Sequence, residues 1–334
     1  MEHATTVAGP YFEELEVGMR APAGPGLTLT DGHAALHQAI VGDRLRLPLD
    51  AELSDRVCGG TLAHPGLVCD VAIGQSTALT QRVVANLFYR GLVLHRAPRL
   101  GDTLRTEVEV VGLRQNSVKP GRAATGLAAL RVKTRDQEDR AILDYWRCAM
   151  LPINDVEASE PHADDLDQFP ADLPPDALHA TLDGIDLGAY RDAVPGTHFA
   201  DLSAPTTWVL DGGDSVTAAT ELARLSLNIA KAHTDPGSHH SGQRLVYGGH
   251  TIGIAAAQIT KTLPNLVTIL GWHHCNHLAP VFEGDVLRST IHLEGTEALP
   301  DGGGLVTLRS EVEAQRADAS FDAVLDWRLV GVMA

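Results

Sequence analysis

One short pattern occurs twice along this chain, in the same order and at nearly the same spacing. Ala97-Pro98 leads to Gly101-Asp102-Thr103-Leu104-Arg105 and later to Leu143-Asp144-Tyr145-Trp146-Arg147. Ala279-Pro280 leads to Gly284-Asp285-Val286-Leu287-Arg288 and later to Leu325-Asp326-Trp327-Arg328. Gly101 to Leu143 spans 42 positions and Gly284 to Leu325 spans 41. A third marker, Phe12-x-x-Leu15, lies 89 positions before Gly101, and its counterpart Phe199-x-x-Leu202 lies 85 before Gly284. Three ordered markers at matched spacing predict a duplicated unit of roughly 150 residues. The expected division is 1–153, a linker 154–190, and 191–334.

Within each unit the local patterns are those of a sheet and one buried helix. Leu104, Thr106, Val108 and Val110 alternate along Thr103 to Val111, and Leu287, Ser289, Ile291 and Leu293 do so along Val286 to Leu293, as half-buried strands should. Leu127 to Val132 and Leu305 to Val312 read as their antiparallel partners, the second entered through the Gly302-Gly303-Gly304 turn. Residues 66–74 and 249–259 are apolar and rich in small residues, the second nearly all round, as befits a helix enclosed by a sheet. From about Asn154 to Pro175 the chain turns acidic and Pro/Ser-rich, a linker with at most one short helix. The fold class is α+β.

Bulk properties narrow the function. A net charge of −17 speaks against a nucleic-acid or membrane-surface binder, which needs a basic footprint. Cys58, Cys69, Cys148 and Cys275 show no CxxC spacing, and Met1-Glu2-His3-Ala4 opens neither a basic nor an apolar leader, so a cytoplasmic protein with reduced thiols is expected. Adjacent His273 and His274 would point to opposite faces of a strand, so the His273-His274-Cys275-Asn276-His277 run is a poor metal site, even with His239 and His240 as extra ligands.

The segment holding Asn228 and His233, five positions apart, is followed by Arg244-Leu245-Val246-Tyr247-Gly248-Gly249-His250 at the start of the second buried helix. Here, and in Tyr11-Phe12-Glu13-Glu14-Leu15-Glu16-Val17-Gly18, the chain resembles the MaoC-like (R)-specific enoyl-CoA hydratase family. Within it, Gly101-Asp102-Thr103-Leu104, Gly112-Leu113-Arg114-Gln115-Asn116 and Arg244 to His250 are similar to the mesaconyl-CoA hydratase (β-methylmalyl-CoA dehydratase) branch. The resemblance implies a double hotdog, two tandem curved antiparallel sheets each around a central helix, paired as a pseudo-dimer. It implies a hydro-lyase that reversibly hydrates a 2-enoyl-CoA such as mesaconyl-CoA, with CoA as part of the substrate and no other cofactor. His233 would be the acid–base, Asn228 its catalytic neighbour, and Gly248 and Gly249 the thioester-binding turn at a helix N-terminus. Tyr247, His250, His277 and Arg244 are candidates for the substrate pocket.

Asn228 departs from the Asp of the wider family, and an amide cannot take a proton from water. The similarity to the mesaconyl-type branch implies Asn here as well, which leaves proton transfer to His233. In the first unit Asp43 fills the acidic position, but Pro48 stands five places on, so that copy is expected to shape the ligand site rather than to catalyse. Arg114 and Lys119-Pro120-Gly121-Arg122 are candidates for the CoA phosphates. Arg224, Lys231 and Arg244 are candidates for a second substrate carboxylate. A dehydratase for another CoA or carrier-protein thioester, a hotdog thioesterase and a non-catalytic acyl-CoA binder stay open, as does a homo-oligomer. Asn228 and His233 as simple caps of a turn, and His250 as a packing group, stay open too.

Overall fold

Each echoed marker is a piece of scaffold with the same job in both halves of the computed structural model, which describes residues 7–118, 120–157, 159–238 and 242–334. Gly101 and Gly284 take φ of 96° and 93°, a left-handed turn that L side chains resist. The Asp that follows closes each turn: Asp102 accepts from the Arg99 N–H and Asp285 from the Phe282 N–H. Phe12 lies over Gly126, and Phe199 over Gly304, in matching strands where a β-carbon would strike the ring. Asp144 is held by Arg131 at 2.6 Å and Asp326 by Arg309 at 2.8 Å.

Four long antiparallel strands make up each half: Ala85–Leu94, Thr103–Gln115, Thr125–Arg135 and Ala141–Pro152, then Leu266–His277, Val286–Ala298, Gly304–Gln315 and Phe321–Met333. The halves join where Ala85–Leu94 pairs with Leu266–His277, Tyr89 opposite Cys275 and Leu92 opposite Trp272. The strand order on one side of that seam mirrors the other, giving one continuous sheet with a pseudo-twofold. Helices Pro65–Gln75 and Gly248–Thr262 are enclosed by it, as their small, apolar sequences predict. This is the expected double hotdog.

The two central helices approach closely at Gly249, where a β-carbon would meet Asp70 of the other helix, and Gly253 makes room for Val41 at the end of helix Asp31–Val41. The acidic stretch holds one short helical turn, Leu166–Gln168, and two short helices, Pro175–Thr181 and Leu187–Ala193, follow it. Leu173, Leu178 and Tyr190 bury themselves with Val93, Val267 and Leu270, covering the outer face of the seam. The four cysteines are buried and unpaired. Among the described residues no helix is long and apolar enough to cross a membrane.

Candidate active site

A strained turn presents the Asn228–His233 segment. Helix Ala219–Leu225 ends at Ser226, Leu227 takes φ of 61°, and the Asn228 N–H returns to the Ala223 carbonyl at 2.9 Å. The segment is then stitched to the other half: the Ile229 N–H donates to Thr77 Oγ1 and the Lys231 N–H to the Gln81 carbonyl. The Asn228 side chain is oriented by its own loop, since Oδ1 accepts from the Ala230 N–H at 2.9 Å. That leaves the amide NH2 to meet a ligand. Such a group can hold a water oxygen and cannot remove its proton.

His233 is buried at the end of a short turn, Lys231–His233. Its Nδ1 lies 3.0 Å from the Leu245 carbonyl. A carbonyl only accepts, so Nδ1 carries the proton and Nε2 of the neutral ring is the basic nitrogen. Leu245 belongs to the segment entering the second central helix. Tyr247 precedes that helix and gives it no side-chain cap, so helix geometry leaves its first N–H groups without partners inside the helix.

These pieces converge on a cavity of about 250 Å3 at the junction of the halves. Asn228, His233, Tyr247, Gly248 and His277 all line it, together with Ile73, Thr77, Tyr89 and Arg147 from the first half. Gly248 is required there: a β-carbon would sit 2.7 Å from His277 Nε2. That nitrogen is shut off from solvent and has no partner among the described residues. Burial, with His233 and Arg147 nearby, pushes the His277 pKa down to about 4, so its ring is neutral near pH 7.

Three expected site residues stand elsewhere. Gly249, one residue along the helix and so turned by about 100°, faces Asp70 and a separate small void instead of the cavity. His250 is fully buried near Asp70 and His37, and burial lowers its pKa to about 4. It does not line the junction cavity, and neither ring nitrogen has a hydrogen-bond partner among the described residues. Arg244 is tied to Glu283 and does not line the cavity. Of the other carboxylate candidates, Arg224 is exposed, and Lys231 lines a neighbouring open groove with Tyr11, Arg82 and Arg122. That groove shares Val83 and Val84 with the cavity. Arg114 is not part of it, and Lys119, His239 and His240 lie outside the described residues. His274 approaches Asp326 while His273 turns to the Ala171 carbonyl, so the neighbours do diverge.

The first half carries a different arrangement at the equivalent place. Asp43 meets His64 at 3.1 Å, a histidine that sequence proximity did not reveal. The Gly66 N–H donates to His64 Nδ1, so Nε2–H points at the carboxylate. Burial alone would raise the Asp43 pKa, and His64 brings it below the usual carboxylate value. His64 lines a void of only about 20 Å3 with Ile252, Trp272 and Trp327, room for roughly one water, while Asp43 lines a separate open pocket with Arg44 and Arg46. Ile73, Thr77, Tyr89 and Arg147 of the first half line the larger cavity, whereas Asp43 and His64 do not.

The two low-pKa histidines set the acid limit of stability. An unfolded His titrates near 6.5. Between about 6.5 and about 4 the unfolded chain therefore binds protons that His250 and His277 refuse in the folded state, so stability falls as pH falls through that window. Each costs on the order of 2 kcal/mol by pH 5. The urea midpoint is expected to be level from pH 8 to 7 and to drop by pH 5, less steeply in His250→Phe. A level midpoint down to pH 5 would contradict this.

No family model matches the chain. Mesaconyl-CoA hydratase of Cereibacter sphaeroides is 28% identical over 312 residues, 91% of this chain and 89% of that protein. β-Methylmalyl-CoA dehydratase of Chloroflexus aurantiacus is 26% identical over 324 residues, 94% and 90% of the two. Among solved structures, Rv0216 of Mycobacterium tuberculosis, described as a conserved hypothetical protein with a double hotdog fold, is 51% identical, with a TM-score of 0.89 over 98% of this chain and 99% of that one. A MaoC domain protein of Chloroflexus aurantiacus gives a TM-score of 0.84 at 23% identity over 99% of both, a likeness of fold alone. With that fold, and with 51% identity over 98% of the chain to a double-hotdog protein, the chain belongs to the double-hotdog family, and it is similar over nine-tenths of its length to a mesaconyl-CoA hydratase and a β-methylmalyl-CoA dehydratase.

Proposed function

We propose that this chain is a hydro-lyase that adds water reversibly across the double bond of a 2-enoyl-CoA, with mesaconyl-CoA and β-methylmalyl-CoA as substrate and product. The observation that carries it is the fixed tautomer of His233. With Nδ1–H committed to the Leu245 carbonyl, Nε2 is the basic nitrogen, and His233 lines the same cavity as Gly248 at the helix N-terminus. The curated relatives, named for this pair of thioesters and matched over nine-tenths of the chain, support the same chemistry.

In the hydration direction, Asn228 Nδ2 holds the water oxygen and His233 Nε2 takes a proton from that water. The oxygen bonds to the β-carbon as the double-bond electrons move toward the thioester carbonyl. Charge gathers on the carbonyl oxygen, where the Gly248 N–H, at the positive end of the helix, and neutral His277 can donate to it. The proton on His233 then goes to the α-carbon. Water is consumed, one C–O and one C–H bond form, and the imidazole is restored. The CoA moiety leaves by the open groove, with Arg82, Arg122 and Lys231 near its phosphates. The four buried, unpaired thiols support a cytoplasmic setting.

A thioesterase fits less well. It needs a base aimed at water beside the carbonyl carbon, and at the position five before His233 the chain holds an amide whose oxygen is already engaged. Purified protein given mesaconyl-CoA is expected to consume the conjugated thioester absorbance and leave β-methylmalyl-CoA. Binding without consumption would favour an acyl-CoA carrier instead.

A further inference from the structure

Arg147 is a cation where its surroundings offer none of the usual reasons for one. It lines the junction cavity and is only 3% exposed. Nη1 donates to Ser76 Oγ at 2.7 Å and Nη2 reaches Thr80 Oγ1 at 3.3 Å, both neutral hydroxyls. Nε is buried with no partner. Among the described residues no carboxylate lies within ion-pair distance of it. Arg147 is the one buried Lys or Arg among the described residues, whereas the less buried Arg96, Arg131, Arg309 and Arg316 each hold an Asp. Removing a charge from water without an opposite charge is costly, and buried cations are retained where an anion comes to meet them.

The duplication supplies an internal control. Asp144 and Asp326 occupy equivalent places, and Trp146 pairs with Arg131 as Arg328 pairs with Arg309. Arg147 therefore corresponds to Leu329, the next residue on, and both stand opposite a leucine, Leu130 and Leu308. The scaffold accepts an apolar side chain at this position, so the fold itself does not call for a guanidinium here.

The geometry points to Arg147 as the receptor for a carboxylate at the far end of the acyl group, making this a site for dicarboxylic rather than plain enoyl thioesters. The assignment rests on the hydro-lyase proposed above and deepens it. Arg147 stands opposite Tyr89 in the strand register, and the Tyr89 ring is 5.8 Å from His277, which abuts Gly248. One wall of the cavity thus runs from the thioester-binding turn to the guanidinium. With Nη1 and Nη2 on hydroxyls that can yield and Nε unused, two parallel N–H donors can be turned to a carboxylate, which Arg binds in bidentate fashion.

The test compares mesaconyl-CoA with 2-methyl-2-butenoyl-CoA, which has a methyl group where mesaconyl-CoA has its free carboxylate. Two quantities are read for wild type, Arg147→Leu and Arg147→Lys: kcat/KM, and the rise in thermal midpoint on adding each thioester. Wild type is expected to prefer mesaconyl-CoA in both. Arg147→Leu should lose about a hundredfold or more in kcat/KM on mesaconyl-CoA and little on the methyl analogue, with Arg147→Lys between them. Its own midpoint should equal or exceed that of wild type, because an uncompensated buried charge is gone. Equal preference in wild type, or equal losses on both thioesters in the Leu variant, would overturn the assignment and leave the hydro-lyase standing. If neither thioester turns over, the hydro-lyase fails, and the selective midpoint rise still decides whether Arg147 binds the carboxylate.

Discussion

Replacing His233 with Gln is expected to lower kcat by about 10^2–10^4-fold while leaving the affinity for the enoyl thioester within a few-fold of wild type. Glutamine can keep a donor toward the Leu245 carbonyl, now held by His233 Nδ1, so the loop and cavity should survive. What disappears is a nitrogen able to take a proton from water and return it to the α-carbon. The check is steady-state turnover of mesaconyl-CoA alongside the midpoint rise on adding the thioester. A small loss in kcat would mean that another group carries the proton, and a parallel loss of binding would mean that His233 merely shapes the turn.

Gly74→Ala is expected to be the most damaging methyl added to the scaffold. A β-carbon at residue 74 would fall 1.7 Å from the Ser226 carbonyl oxygen, in the turn that delivers Asn228. Backbone on both sides leaves nothing flexible to yield, so the helix and the turn must separate. Overpacking of this kind costs about 3 kcal/mol at the upper end of the common range. A lower urea midpoint should come with reduced kcat, because Ile229 and Lys231 are stitched to the same region of the first half. An unchanged midpoint would show that the two halves are less tightly coupled than the contacts indicate. Gly295 makes a control: the space its β-carbon would enter is open.

Much of the architecture was legible because its signals are local and repeated. The Gly-Asp turns, the alternating strands and the two apolar, small-residue helices each declare themselves within a dozen residues, and the duplication confirms each against its twin. Asn228, His233 and Gly248 were legible for a similar reason, being held close in sequence around one helix start. Gly249, His250 and Arg244 were misplaced because adjacency along a chain is not adjacency in space. One step along a helix moved Gly249 to Asp70, and an ion pair to Glu283, 39 residues away, drew Arg244 off the site. His64 reaching Asp43 is likewise a tertiary contact without a local pattern.

Arg147 escaped notice for the opposite reason. The echo itself disguised it. Matching Leu-Asp-Tyr-Trp-Arg to Leu-Asp-Trp-Arg by its last residue pairs the two arginines, yet the strand registers place Arg328 with Trp146. Arg328 is partly exposed and pairs with Glu294, an ordinary surface ion pair. Only the pairing across the sheet separates the two arginines.

The measurement that bears most directly on the junction cavity as a site of water addition is the fate of labelled oxygen. Mesaconyl-CoA is incubated with the protein in water enriched in oxygen-18, and product and free thiol are followed together. Hydration places the label in the new hydroxyl at the β-carbon, with the thioester intact and no CoA thiol released. Label in a carboxylate accompanied by stoichiometric free thiol would mean hydrolysis of the thioester, and would contradict the roles assigned here to His233, Asn228 and Gly248.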